Sequence, residues 1–277
     1  MGALDRFEWL ARLGYLSRGV VYLIVGWFAM AAAVGAGRPT DTKGALREVL
    51  EQPFGRIMLA TVALGLVGYA LWRAMQAWLD LDDHGTEAKG LAIRGGLLTS
   101  SVIHAALAVF AASLALGWQG PAGAGGGGTD DGTRDWTAWL LSQPFGPWLV
   151  GAVGIAVFGA AVGHFAKAYK ASFLRHLKTK PEAERMICLI GRIGLTAKGV
   201  VFLLTGSFFL LAAWRTDPSE SGGLGKALLT LQAQPYGPWL LGLVAAGLFA
   251  FGMYSVIQGL YRRIDSPAAI SRLQKAV

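Results

Sequence analysis

One cysteine in 277 residues, Cys188, can form no disulfide within the chain and cannot build a zinc or iron–sulfur site that needs several thiolates. Charge is scarce as well. Asp, Glu, Lys and Arg make up 15% of the residues, where a soluble domain carries about a quarter. No Asp or Glu falls inside the long apolar runs, which argues against a carboxylate proton relay, a di-iron bundle or a metal-dependent hydrolase within a membrane. Signals of covalent or phosphate chemistry are missing too. No Gly-x-Ser-x-Gly turn precedes a helix, and Gly125-Gly126-Gly127-Gly128 lacks the Lys-Ser/Thr that follows a phosphate-cradling loop. The stretch from Gly117 to Gly132 reads instead as a flexible loop. No enzymatic reaction is expected.

What the chain does have is apolar length. Hydrophobic residues make up 54%, and the mean hydropathy is +0.47. Runs without charge extend over Gly19–Gly37, Ile57–Trp72, Gly95–Thr129, Trp136–Ala166, Gly199–Trp214 and Ala227–Tyr261. About 20 apolar residues span a bilayer as a helix. The two shorter runs lengthen if Arg73 and Lys198 extend their stems to the interface. The expected fold class is an all-α integral membrane protein with six transmembrane helices.

Three copies of one phrase organise those helices. Gln52-Pro53-Phe54-Gly55, Gln143-Pro144-Phe145-Gly146 and Gln234-Pro235-Tyr236-Gly237 stand 91 residues apart in both intervals. A short amphipathic stretch precedes each (Gly44–Leu50, Trp136–Leu141, Lys226–Leu231) and an apolar run follows. Proline ends the preceding helix, and the glycine is expected to supply the tight backbone of the turn. Pro147 and Pro238 suit the first turn of a returning helix, and the aromatic residues suit an interfacial belt. Each unit also opens on an Arg with Gly close behind: Arg12 with Gly14, Arg94 with Gly95 and Gly96, Arg192 with Gly194. Repeats are therefore expected over 10–80, 91–170 and 188–263, forming one membrane domain. Each pairs an outgoing and a returning helix through an interfacial helix on the outer side, so all three lie the same way up. The first apolar segment aligns with the openings of the other two units, so it is expected to be retained rather than cleaved as a signal peptide.

A net charge of +8 resembles a nucleic-acid footprint until the charges are placed. The side holding both termini carries 18 Lys and Arg and the other side 7, a bias that puts the termini in the cytoplasm. Topology accounts for the basicity, so no nucleic-acid partner is expected. Lys167 to Arg185, basic with interleaved Phe173, Leu174 and Leu177, reads as a helical extension along anionic lipid headgroups.

With its basic-Gly openings and its Gln-Pro-Phe/Tyr-Gly turns in three two-helix units, the chain resembles, from about Leu10 to Arg263, the bacterial membrane family catalogued as domain of unknown function 1206. That resemblance implies six helices in a bacterial inner, or plasma, membrane and supplies no reaction.

Candidate site residues come from the symmetry and from its lapses. Arg12, Arg94 and Arg192 are equivalent and form an inner basic ring, either an anion-collecting mouth or anchors to lipid phosphates. Elsewhere equivalent positions diverge: Arg18, Ser100 and Lys198; Tyr22, His104 and Phe202; Arg73, His164 and Ser255; Gln76, Lys167 and Gln258. An asymmetric ligand on a pseudo-threefold axis requires such divergence, and polar groups inside a membrane are costly. Arg18, Arg73, His104, His164 and Lys198 are therefore the candidate ligand-binding residues. The alternative for His104 is a hydrogen bond through Thr99, Ser100 or Ser101.

Cofactors are not expected. His104 lies about 15 Å along its helix from Arg94 and His164 about 5 Å from Lys167, at about 1.5 Å per residue, depths that fit no shared haem. Gly65 with Gly68, and Gly151 with Gly154 and Gly159, read as close-packing positions. The leading function is transport or binding of a small polar or anionic solute at the threefold centre. The alternative is a scaffold or lipid-organising protein that acts through its basic loop.

Overall fold

The computed structural model describes residues 3–82, 84–118, 129–174, 177 and 181–261. Among them every regular element of length is helical: α1 (Ala3–Ala33), α2 (Thr42–Leu50), α3 (Gly55–Trp78), α4 (Ala88–Leu116), α5 (Thr129–Leu141), α6 (Gly146–Lys170), α7 (Pro181–Arg215), α8 (Leu224–Gln232) and α9 (Gly237–Tyr261). Six of these, α1, α3, α4, α6, α7 and α9, are long and apolar enough to cross a membrane. The chain is a multi-pass membrane protein of three repeats, each built as long helix, short helix, turn and long helix.

The repeats interlock in a cycle. α3 lies along α4, α6 along α7, and α9 along α1, so the returning helix of each repeat packs on the outgoing helix of the next. Within repeats, α1 packs on α3 and α7 on α9, whereas α4 and α6 of the middle repeat scarcely touch. The six long helices thus follow the order α4, α3, α1, α9, α7, α6 around the bundle, with a seam between the first and the last.

Glycine sets these contacts. A side chain at Gly14 would meet the backbone of Tyr69 at 2.6 Å, and one at Gly194 would meet that of Phe251 at 2.6 Å. At the equivalent Gly96 nothing lies within 4 Å. Gly65 does pack closely, against Ser17, and so does Gly154, against Leu210. Gly159 was expected to do the same, but it faces open space because α4 stands away from α6.

The three turns share one geometry, and it differs from the expected one. Gln N-terminal to Pro accepts from the glycine N–H at 2.8 Å in the first and third copies and 2.9 Å in the second. The left-handed backbone belongs to the aromatic residue, with φ of 62° at Phe54, 61° at Phe145 and 63° at Tyr236. Glycine is required for close approach, since a Cβ at Gly55 would stand 2.5 Å from the Leu50 carbonyl oxygen. The aromatic rings themselves are about four-fifths exposed, at 79%, 78% and 81%, so they point away from the protein.

The short helices do more than lie at an interface. Ala45, Leu46 and Val49 of α2 and Ala227 and Leu228 of α8 are buried in the same apolar cluster as α1, α3, α4 and α9. Asp41 caps α2 by accepting from Gly44 N at 2.6 Å. α8 starts at Gly223, which has no side chain to cap with, and Asp130 from α5 supplies the cap across repeats. Its two oxygens accept from Gly223 N and from Lys226 N, the latter at 2.7 Å. Burial pushes the Asp130 carboxyl upward in pKa, the two N–H bonds oppose this, and Asp41 and Asp131 add to the rise. Asp130→Ala leaves those donors unpaired and is expected to cost about 1–2 kcal/mol, read as a lowered thermal midpoint of the detergent-solubilised protein.

Two sequence expectations shift here. The glycine-rich stretch does not reach Gly132, because α5 begins at Thr129 with Asp130 and Asp131 in its first turn, where the helix dipole favours acids; residues 119–128 lie outside the described set. The basic stretch after α6 is not a helical extension. α6 stops at Lys170 with Ala171 left-handed at φ 47°, and Phe173 and Leu177 turn inward and are buried. Of the remainder of that stretch, residues 175, 176 and 178–180 lie outside the described set.

Candidate functional site

Arg18 sits on α1 one turn beyond Tyr15, buried between α3 and α9. Its Nε and Nη2 donate to Ser255 Oγ at 3.2 and 2.9 Å, Nη2 donates to Gln258 Oε1 at 2.7 Å, and Nη1 donates to the Tyr69 phenol oxygen. Arg73 reaches the same phenol from its own helix, at 2.8 Å from Nε and 2.6 Å from Nη2, and donates to Gln76 Oε1 at 3.1 Å. One phenol oxygen is thus shared by two guanidinium groups. Gln76 passes the network on to Asp82 at 2.7 Å, and Gln258 to the Tyr254 hydroxyl at 2.9 Å.

Aromatic faces surround these cations, and the negative face of a ring attracts them. The Arg18 guanidinium lies 5.2, 4.9 and 5.1 Å from the ring centres of Tyr15, Tyr69 and Phe251. Lys198 shares Phe251 with it, its Nζ standing 4.3 Å from that ring, 4.9 Å from Tyr22 and 5.5 Å from Phe202. The Lys198 ammonium has rings for neighbours and, among the described residues, no hydrogen-bond acceptor.

The histidines complete the cluster. His104 lies against Tyr69 with ring centres 4.6 Å apart, and His164 meets Phe202 edge-on at 5.0 Å. Each bonds through Nδ1 to the carbonyl four residues earlier, Ser100 and Ala160, at 2.7 Å. Carbonyls only accept, so Nδ1 carries a proton in both rings, and in the neutral ring Nε2 is left as an acceptor. The Ser100 backbone, rather than its hydroxyl at 3.5 Å, is what holds His104. Ser101 is the interhelical tie, donating to the Ala70 carbonyl at 2.8 Å.

The contacts bring His104 and His164 closer in level than residue spacing alone implies. His164 touches Phe202, which is the counterpart of His104 in the third repeat. Side chains lean toward the N-terminus of their own helix, so on antiparallel α4 and α6 the two imidazoles lean toward a common level. Among the described residues no three His, Cys, Asp or Glu side chains gather as a metal site.

All five candidate ligand-binding residues therefore fall in one cluster, linked through Tyr69, Phe251 and Phe202. Tyr69, Tyr15 and Phe251 are the members that sequence reasoning missed. A usable signal existed for Tyr69, which precedes Arg73 by four residues on one helix face.

The other sequence candidates lie elsewhere. Arg12 donates to the carbonyls of Gly259 and Leu260 at 3.0 and 2.6 Å, Arg94 to those of Ala77 and Trp78 at 2.7 and 3.2 Å, and Arg192 to that of Tyr169 at 3.1 Å. Each opening arginine clasps the end of the returning helix from the preceding repeat, satisfying carbonyls that a helix C-terminus leaves open. The turn residues Gln52, Pro53, Gly55 and their copies stand at the far end of the spans, away from the cluster.

With this geometry in view, the comparisons give the family. A family profile described as Domain of Unknown Function (DUF1206) matches residues 13–80, 95–171 and 193–262. The chain belongs to DUF1206. A relative named "Uncharacterized protein YxxB", from Bacillus subtilis (strain 168), is 34% identical over 256 residues, covering 91% of this chain and 90% of the relative. No solved structure matches. Membership in DUF1206 accords with the three repeats and carries no activity, so the reading of function rests on the cluster.

Proposed function

We propose that this DUF1206 protein binds, and moves, a small anionic solute at the pseudo-threefold centre of the bundle, within a bacterial plasma membrane and with its termini on the cytoplasmic side. One observation carries the reading. Arg18, Arg73 and Lys198 stand together inside the spans, and none forms an ion pair with a carboxylate among the described residues. Uncompensated charge is costly in a low-dielectric interior, and an anion removes the cost. The guanidinium groups are held by Tyr69, Ser255 and the two glutamines, and Asp82, which accepts from Gln76, offsets part of the Arg73 charge from beyond that glutamine, whereas Lys198 has no carboxylate beside it among the described residues. Lys198 is the cation with donors to spare, and His164 shares the Phe202 ring with it.

Uptake of inorganic phosphate and short-chain carboxylates into liposomes tests this. Lys198→Met keeps the stem on its aromatic neighbours and breaks no hydrogen bond, so the variant is expected to fold normally and to lose at least about tenfold in anion affinity, about 1.4 kcal/mol. Arg73→Ala and His104→Ala are expected to reduce uptake as well. Equal binding and uptake by wild type and Lys198→Met would remove the reading. The scaffold alternative gains only if the protein neither binds nor moves any anion.

A further inference from the structure

We infer that the anion reaches Lys198 sideways, from the bilayer through the seam between α4 and α6, and that it is the phosphate headgroup of an anionic membrane lipid. This rests on the reading of the cluster as an anion site and names the class of ligand.

Three observations converge on the seam. The walls elsewhere are closed, since α4 packs on α3, α3 on α1, α1 on α9, α9 on α7 and α7 on α6, leaving α4 and α6 as the neighbours that scarcely touch. Glycine marks the break: Gly14 and Gly194 are pressed against aromatic backbone, whereas Gly95 and Gly96 on α4 and Gly159 and Gly163 on α6 have nothing within 4 Å beyond their own helices. The burial of the helices agrees. Of the most apolar stretch, 17% is buried in α4 and in α6, against 39–50% in the other four long helices.

A gap in a helical wall is by itself only a lipid-facing surface; here the polar groups of the cluster stand behind it. His104 and His164 sit one on each flanking helix, both with Nδ1 tied back to their own backbone, which leaves Nε2 on the far side of each ring from that backbone. Lys198 shares the Phe202 ring with His164, and His104 joins the same cluster through Tyr69 and Arg18; the ammonium has no hydrogen-bond acceptor among the described residues. Toward the turn side the centre is filled. Ala108, Phe110 and Ala111 of α4 share one apolar cluster with Val201 of α7 and Leu248 of α9, and Phe208 packs on it. A headgroup at Lys198 therefore has no polar route onward to that side, whereas an acyl chain leaving through the seam stays in hydrocarbon throughout. A phosphodiester fits the ammonium, offering it a negative charge and oxygens that accept from its three N–H groups.

The experiment uses the full chain, purified, stripped of lipid in detergent and placed with one of three probes: phosphatidylglycerol, phosphatidylcholine, or glycerol 1-phosphate as the headgroup without its chains. Native mass spectrometry counts retained lipid, and tracer binding follows the soluble probe. Wild type is expected to keep about one phosphatidylglycerol in preference to phosphatidylcholine, at least about tenfold. Lys198→Met is expected to lose this preference, and Gly96→Trp, which fills the seam away from the cations, is expected to lose it too; Gly159→Phe repeats the test from the other helix if Gly96→Trp does not fold. Retention unchanged in Lys198→Met or in both seam variants would mean surface lipid only and would overturn the inference. Glycerol 1-phosphate bound by wild type and lost in Lys198→Met, with no lipid retained, would overturn the lipid route while leaving the anion site. Binding of neither probe would sink both.

Discussion

Valine at Gly14 or at Gly194 is expected to stop the protein accumulating in folded form, while valine at the equivalent Gly96 leaves folding intact. At Gly14 a Cβ would lie 2.6, 2.7 and 2.8 Å from the N, Cα and Cβ of Tyr69, and at Gly194 it would lie 2.6 Å from the N and Cα of Phe251. Those neighbours cannot yield cheaply. Tyr69 is fixed by hydrogen bonds from both Arg18 and Arg73, and Phe251 stands among Arg18, Lys198 and Tyr22. Overpacking in a tight core commonly costs about 1–3 kcal/mol, and a branched side chain against backbone belongs at the upper end or beyond. Against a total stability of about 5–15 kcal/mol, that is enough to prevent recovery of a folded monodisperse protein. Gly96 has open space where the others have an aromatic backbone, so Gly96→Val should change stability only through helix propensity, by a few tenths of a kcal/mol in either direction. Expression yield, elution profile and thermal midpoint of the three variants check this. An equal loss at all three positions would mean that α4 and α6 are closed on one another.

That contrast marks where sequence reasoning stops. The turn phrase at an interval of 91 residues and the apolar runs carried the three repeats and six long helices, because period and length are properties of the chain itself. The divergent positions carried the cluster in outline: Arg18, Arg73, His104, His164 and Lys198 differ from their counterparts, and all five meet around Tyr69, Phe251 and Phe202. What was not legible is which helices touch. Gly96 and Gly14 are the same letter at the same place in their repeats, and only the distance between α4 and α6 separates them. The shared phenol of Tyr69 was hidden for a related reason, since Arg18 reaches it across α1 and α3 from 51 residues away. Arg12, Arg94 and Arg192 were legible as a set but not in their role. Their partners are backbone carbonyls of the preceding repeat, which no residue type announces.

The turn itself gives the second large effect, and it separates two uses of glycine. Alanine at Gly55, Gly146 or Gly237 is expected to cost about 3 kcal/mol each, near the upper end for an inserted carbon that its surroundings cannot accommodate. The obstructing atoms are backbone of the short helix just ended. A Cβ at Gly55 would stand 2.5 Å from the Leu50 oxygen, at Gly146 2.6 Å from the Leu141 carbonyl carbon, and at Gly237 2.7 Å from that of Gln232. Were glycine there for its left-handed freedom, the aromatic neighbour would be ordinary backbone, yet Phe54, Phe145 and Tyr236 hold the positive φ. A left-handed residue with a Cβ costs about 1–2 kcal/mol, so the aromatic is retained against its own backbone preference. Its exposed ring, beside Trp148 and Trp239 in the second and third copies, suits an interfacial anchor. Phe54→Asn, which tolerates the left-handed region, is therefore expected to leave the thermal midpoint in detergent unchanged or raised, while Gly55→Ala lowers it by several degrees or more. If Phe54→Asn proved the more damaging of the two, the turn would depend on the packing of its aromatic ring, and the close approach of glycine to the preceding helix would be incidental.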